Sequence, residues 1–390
     1  MPYNFDQIVN RDSTSCVKYD LRQTVFGNPD VLPMWVADMD IPTPDFIMDA
    51  LRNRLNHPIL GYTFRDNEYL QAITWWYKSF HNWDIKAEWI DFCPGVVSGI
   101  SHAIRALTQP GDGIIIQPPV YPPFFSTVIN NHRRVIENPL LESNGKYYIN
   151  FELLEQQAKQ GAKMLILSSP HNPVGRLWTK DELLEIGSIC LKNNIIIISD
   201  EIHSDLVYPG QNHISIASLS EELAAITVTF GSISKTFNTA GLASGFAIIP
   251  NNEVKKKYAD ELDASGAGMG NAIGMVALKA AFTPDGKQWL NQLMRYLEGN
   301  VKLFISGLQQ FTKIKAIEPQ ATYLIWLDFR NSQLDDEKLS ALLIKQAGLG
   351  FSPGTEYGRQ GSGFMRVNVA CSRLTIEMAL EQLKTVANHF

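Results

Sequence analysis

Between about residues 90 and 250 the chain alternates short, uninterrupted apolar runs with stretches of helical spacing, and this alternation restricts the available folds more than any other feature. Ile114-Ile115-Ile116, Met164-Leu165-Ile166-Leu167, Ile195 to Ile198 and Ile226 to Phe230 all have strand length. A strand apolar on both sides needs cover on both faces, which implies a mostly parallel sheet between layers of helix. Helical spacing lies beside these runs. Ile100, Ala103, Ile104 and Leu107 share one face of Gly95 to Leu107, and Thr179 with Glu182 forms a capping-box pattern ahead of Leu183, Leu184 and Ile186. The expected class is therefore α/β.

The pattern changes near residue 282. Phe282-Thr283-Pro284-Asp285-Gly286 reads as a cluster of breakers, and a long amphipathic stretch follows it through Leu308. Strand-like Tyr323 to Leu327 and Met365 to Val369 come next, with helical segments over 336–347 and 373–388. These elements predict a smaller α+β domain over 286–390 beside a large domain over 46–285. Residues 1–45 are rich in Pro and Asp and too irregular to stand alone; they are expected to form an N-terminal arm and part of the small domain. A chain of 390 residues has ample material for such cores.

Composition removes several classes of function. The charge is −6, from 34 Lys and Arg against 40 Asp and Glu, so a broad basic footprint for nucleic acid is not expected. No apolar run approaches the roughly 20 residues of a membrane span. Asp6, Arg11, Asp12 and Lys18 make the start of the chain unlike a secretory leader. Cys16, Cys93, Cys190 and Cys371 lie far apart with no CxxC pair, which argues against a disulfide framework or a structural zinc. A soluble, cytoplasmic protein without a metal site is the expectation.

In a parallel α/β sheet, ligands bind beyond the carboxyl ends of the strands. One apolar run leads into Ser168-Ser169-Pro170-His171-Asn172-Pro173, the next into Ser199-Asp200-Glu201-Ile202-His203, and a third into Gly231-Ser232-Ile233-Ser234-Lys235. An amide, a carboxylate and a lysine are thus expected on one sheet edge. A partly desolvated Lys235 has a lowered pKa and is a usable Schiff-base nucleophile; taken alone, a Ser-Lys pair reads far more readily as a solvated loop lysine. Asp200 ends a run of isoleucines and needs a partner, whether a protonated pyridine nitrogen, an arginine or a helix N-cap. Asn172, between prolines, is either a turn residue or a donor to a phenolic oxygen. Gly95, Val96 and Val97 open a helix whose first amides suit a phosphate, a weak signal alone, and the Ser232 and Ser234 hydroxyls are possible further donors. Tyr121, held between prolines, offers either a packed ring or a stacking face.

This set resembles fold-type I pyridoxal-phosphate enzymes, the aminotransferase class I/II superfamily. Longer strings resemble the MalY/PatB branch of cystathionine β-lyases and cysteine C–S lyases: Pro33 to Asp40, Ser169 to Arg176, Ser199 to Asp205, Ser234 to Asn238, and Phe364 to Asn368. The likeness runs from about residue 25 to the C-terminus. It implies pyridoxal 5'-phosphate as cofactor, bonded to Lys235, which then moves protons, with Tyr121 as a second catalytic residue stacked on the ring. Asp200 is implied at the ring nitrogen, Asn172 at the phenolic oxygen, and Gly95, Val96, Val97, Ser232 and Ser234 at the phosphate. The implied substrate contacts are Arg366, clamping the α-carboxylate, together with Trp35 and Asn172. Tyr62 is implied to reach the phosphate of a neighbouring subunit, making the active unit a homodimer. Two positions depart from typical aminotransferases: Ala243, where many carry a phosphate-binding arginine, and His203, where tyrosine is frequent. His203 reads equally as a cofactor contact and as a hydrogen-bonded structural histidine.

The implied reaction is α,β-elimination from L-cystathionine or a related L-cysteine S-conjugate, giving a thiol, pyruvate and ammonia. An aminotransferase of the same fold is the alternative. A pure sensor has little support, since no helix-turn-helix pattern accompanies the α/β region.

Overall fold

The computed structural model describes residues 3–390. Its central sheet has seven strands: β1 (Ile90–Cys93), β2 (Gly113–Ile116), β3 (Arg134–Glu137), β4 (Met164–Ser168), β5 (Ile196–Asp200), β6 (Thr227–Gly231) and β7 (Gly245–Ile248). They lie in the order β1-β7-β6-β5-β4-β2-β3. Strands β6, β5, β4, β2 and β3 are parallel, whereas β7 runs antiparallel to both its neighbours. Successive side chains on β4 enter different cores. Leu165 and Leu167 pack with Ile186 and Ile197 on one face, Met164 and Ile166 with Ile100 and Ile198 on the other. Both faces are covered, which is why the runs carry no polar alternation.

Helix α1 (Val96–Leu107) follows β1 and lies close to the sheet. A Cβ on Gly99 would stand 2.5 Å from Phe230 Cε1 and 2.9 Å from Cys93 Cβ, so glycine sets the height of α1. The capping box forms as expected at the start of α2 (Lys180–Lys192): Thr179 Oγ1 accepts from the Glu182 amide, and Glu182 Oε2 accepts from the Thr179 amide.

The expected breaker cluster at 282–286 is instead the start of α3 (Pro284–Leu308). Thr283 caps it by accepting from the Gly286 amide, and Pro284 takes the first turn, where its missing N–H costs nothing. Beyond it, β8 (Lys315–Ile317), β9 (Leu324–Asp328), β10 (Ser352–Pro353) and β11 (Phe364–Asn368) form an antiparallel sheet in the order β8-β9-β11-β10. Helix α4 (Arg373–Lys384) packs on α3. The helical segment read over 336–347 is α-helical for Asp336–Ala341, then widens into π turns over Leu342–Ala347 and ends at Gly348 with φ of 69°.

The N-terminal residues form two short helices, Val17–Asp20 and Arg22–Phe26, and Leu32–Pro33 pairs in parallel with Leu349–Gly350. One core runs from Phe5 through Ile47, Trp76 and Trp289 to Val367, joining the start of the chain to both sheets. Among the described residues no helix is long and apolar enough to cross a membrane.

Candidate active site

The carboxyl ends of β1, β2, β4, β5 and β6 open into one cleft of about 1010 Å³. Gly95, Val96, Val97, Tyr121, Asn172, Asp200, His203, Ser232, Ser234 and Lys235 all line it, opposite Trp35 and Arg366. Tyr62 does not: it is 96% exposed, in an irregular segment ahead of the helix that begins at Asn67.

Asp200 is buried at the end of β5. One oxygen, Oδ1, accepts from the Ile202 amide at 3.1 Å, a local turn. No arginine meets this carboxylate, and desolvation pushes its pKa up from 3.8 to about 7 even though the Lys235 charge pulls the other way. Lys235 lies in the short helix Ile233–Thr236 and is half-buried. Its Nζ donates to the Ala37 carbonyl at 2.6 Å. Desolvation, with Arg366 nearby, lowers its pKa from 10.5 to about 8, so the solvated loop lysine is not what forms.

The turn under Lys235 is fixed from behind. Thr236 Oγ1 donates to Asp205 Oδ2 at 2.7 Å, and Asp205 Oδ1 accepts from Trp76 Nε1 at 2.9 Å and faces His81 Nε2 at 2.8 Å. A parallel arrangement backs Asp200: Ser199 and Ser215 both donate to Glu201 Oε1, and His213 Nε2 lies 3.0 Å from Oε2.

Asn172 presents Oδ1 to Arg366 Nη1 at 3.2 Å, which turns its NH₂ donors toward the open cleft. Arg366 is 5% exposed, donates from Nη2 to the Trp35 carbonyl at 2.6 Å and stacks its guanidinium 5.1 Å from the Tyr357 ring centroid. Its Nε is buried without an acceptor. Trp35 lines the cleft with its Nε1 donating to the Lys18 carbonyl at 3.0 Å. His203 is buried, burial driving its pKa well below 6.5, and its Nδ1 has no partner among the described residues.

At the start of α1, Gly95 adopts φ of 140° and no side chain caps the first amides. Ser232 differs from expectation. Its hydroxyl donates to the Ser244 carbonyl at 2.7 Å and accepts from the Ser234 amide at 3.1 Å, so its proton is committed to holding the turn. The nearby Ser244 Oγ is buried without a partner and lines the cleft. Sequence reasoning missed Ser244, Tyr357 and the Ala37 carbonyl. The first two follow no apolar run that marks a strand end, and a backbone acceptor leaves no trace in residue types.

The model of the family described as aminotransferase class I and II matches residues 29–383. The chain belongs to that family. Among its relatives, cystathionine beta-lyase PatB of Bacillus subtilis is 43% identical over 385 residues, covering 98% of this chain and 99% of PatB. Protein MalY of Escherichia coli is 33% identical, with 98% of both chains covered. Cystalysin from Treponema denticola, whose crystal structure contains pyridoxal 5'-phosphate, superposes over the whole of both chains with a TM-score of 0.96 at 36% identity. The family's fold-type I architecture, a mostly parallel sheet between helices, is the architecture described above.

Proposed function

We propose that this chain is a pyridoxal-phosphate-dependent carbon–sulfur β-lyase that cleaves L-cystathionine or related L-cysteine S-conjugates to a thiol, pyruvate and ammonia. The observation that carries the reading is Asp200: a buried carboxylate with no ion pair among the described residues, across one cleft from an amine whose pKa is lowered to about 8. A protonated pyridine nitrogen completes the first, and an aldehyde suits the second. The match to PatB over nearly the whole of both chains supports a lyase rather than an aminotransferase.

The cofactor residues fit their group. Uncapped amides at Val96 and Val97, with Ser234 and the unpartnered Ser244 Oγ, would hold the phosphate. Tyr121 would cover the ring, the Asn172 NH₂ would donate to the phenolic oxygen, and neutral His203 would lie near it. When bound, the cofactor supplies an electron sink for charge developing at the substrate Cα. Asp200 keeps the ring nitrogen protonated. Arg366 would offer its guanidinium to the substrate α-carboxylate, while Tyr357 beneath and Asn172 beside it fix the plane of the fork. The amine of Lys235, once displaced by the substrate, would take the α-proton, and the Cβ–S bond would break with its electron pair leaving on sulfur.

A homodimer with Tyr62 reaching a neighbouring cleft belongs to the same reading. Leu55, Ile59, Leu60, Tyr62 and Phe64 form a stretch of exposed large apolar side chains that a second copy would cover. The division into an arm (1–45), a large domain (46–285) and a small domain (286–390) is kept as part of the proposal, supported by the start of α3 at Pro284. The cysteines are free thiols, which supports a cytoplasmic setting.

Incubation of the loaded enzyme with L-cystathionine tests the function. Pyruvate and free thiol released without any 2-oxo acid support it; absolute dependence on a 2-oxo acid makes the chain an aminotransferase instead.

A further inference from the structure

The turn Gly354–Tyr357 carries Tyr357 beneath Arg366, and the residue before it, Glu356, stands at the rim of the same cleft. The turn is rigidly placed. A Cβ on Gly354 would lie 2.1 Å from the Gly361 carbonyl oxygen, and the Tyr357 carbonyl accepts from the Val120 amide at 2.9 Å, one residue before Tyr121. Tyr357 also packs edge-on against Trp326 at 5.4 Å. Glu356 is thus an exposed side chain on a fixed turn.

The charges of the cleft can be apportioned. Arg105, at its far end, is paired with Glu261 at 2.6 Å. Arg366, Asp200 and Lys235 are assigned to the α-carboxylate, the ring nitrogen and the α-proton. Glu356 is left over. It makes no ion pair or side-chain hydrogen bond among the described residues; burial raises its pKa, and Arg366 is the one charge that opposes this. Glu356 and Arg366 line the same cleft, so a substrate whose α-carboxylate sits on Arg366 has Glu356 in its surroundings.

We propose that Glu356 is a specificity residue that selects S-conjugates carrying an ammonium group two to three carbons beyond the sulfur, and disfavours those ending in a carboxylate alone. The inference rests on the β-lyase reading for its substrates, not for its test. In L-cystathionine the distal amino group pairs with Glu356 and the distal carboxylate turns to solvent.

Two series of isosteres read the charge preference in the holoenzyme. In turnover, S-(2-aminoethyl)-L-cysteine should exceed S-propyl-L-cysteine in kcat/KM by about fivefold, the size of a partly exposed ion pair. Glu356→Gln should bring the ratio close to one, whatever its effect on the absolute values, and Glu356→Lys should favour S-carboxymethyl-L-cysteine. In binding, L-lysine against L-2-aminoheptanoic acid, neither of which has a sulfur to eliminate, should show the same ratio by calorimetry and the same loss in Glu356→Gln. If both ratios are equal in wild type and Glu356→Gln, the inference is overturned. If no conjugate is cleaved but lysine still outbinds 2-aminoheptanoic acid through Glu356, the lyase reading fails and the charge selectivity stands.

Discussion

Burial without an ionic partner sets the behaviour of Asp200. In the apoprotein it binds a proton up to about pH 7, whereas the unfolded chain releases it near 3.8. The stabilisation from that extra proton is complete below pH 3.8 and is lost as pH rises through about 7. Asp200→Asn should flatten this part of the apoprotein's Tm-versus-pH profile, and an unchanged profile would show that another group carries it. Lys235 acts in the opposite sense. Its amine becomes neutral above about pH 8, so the rate of cofactor attachment to the apoprotein should climb up to pH 8 and level off beyond it. Stopped-flow absorbance reads this directly, and a rate still rising tenfold per unit at pH 10 would mean an unperturbed lysine. Arg366→Ala should lower kcat/KM by roughly tenfold to a hundredfold, mainly through KM, as expected for losing charged hydrogen bonds. Asp200 and Lys235 were legible in the sequence because each stands at or just past the end of an apolar run that can only be a buried strand. Ser244 was not, because its importance comes from Ser232 spending its hydroxyl proton elsewhere.

At the scale of elements, the distance from α1 to the sheet places the amides proposed to hold the phosphate. Gly99 touches the Phe230 ring and the Cys93 side chain with no room for a larger residue. Gly99→Val should lift α1, lower Tm by several degrees and weaken cofactor binding by tenfold or more, read by equilibrium dialysis. Loss of stability with unchanged cofactor affinity would separate helix height from phosphate binding. The parallel strands and the Thr179 box could be read from residue pattern since each is decided locally. Strand β7 could not: Gly245-Phe246-Ala247-Ile248 is short and begins with glycine, and its antiparallel direction depends on β1, more than 150 positions earlier. The cluster at 282–286 misled for a related reason, because Thr-Pro-Asp-Gly is as good a helix start as a turn, and only the amphipathic stretch after it decides.

For the molecule as a whole, the segment Trp35 to Asp40 ties the N-terminal residues to both sheets. Asn368 donates to the Val36 and Asp38 carbonyls at 2.7 and 2.6 Å, Asn238 donates to the Met39 and Ile41 carbonyls, and Arg11 and Lys18 pair with Asp40. Its outward carbonyls then meet Lys235 and Arg366, so the site is closed by residues more than 300 positions apart. None of that convergence is visible in local pattern. The exposed stretch around Tyr62 has a consequence at the same scale: Leu60→Glu with Phe64→Glu should convert a particle of twice the chain mass in light scattering to single chains with weakened cofactor binding. A wild-type chain already monomeric and fully loaded would remove Tyr62 from the site.

The central claim is that one ring lies between Asp200, Asn172 and Lys235. Reduction of the loaded enzyme with borohydride, followed by peptide mass mapping, tests it most directly. A single phosphopyridoxyl group on Lys235 is the expected result; label on another lysine, or none, contradicts the account.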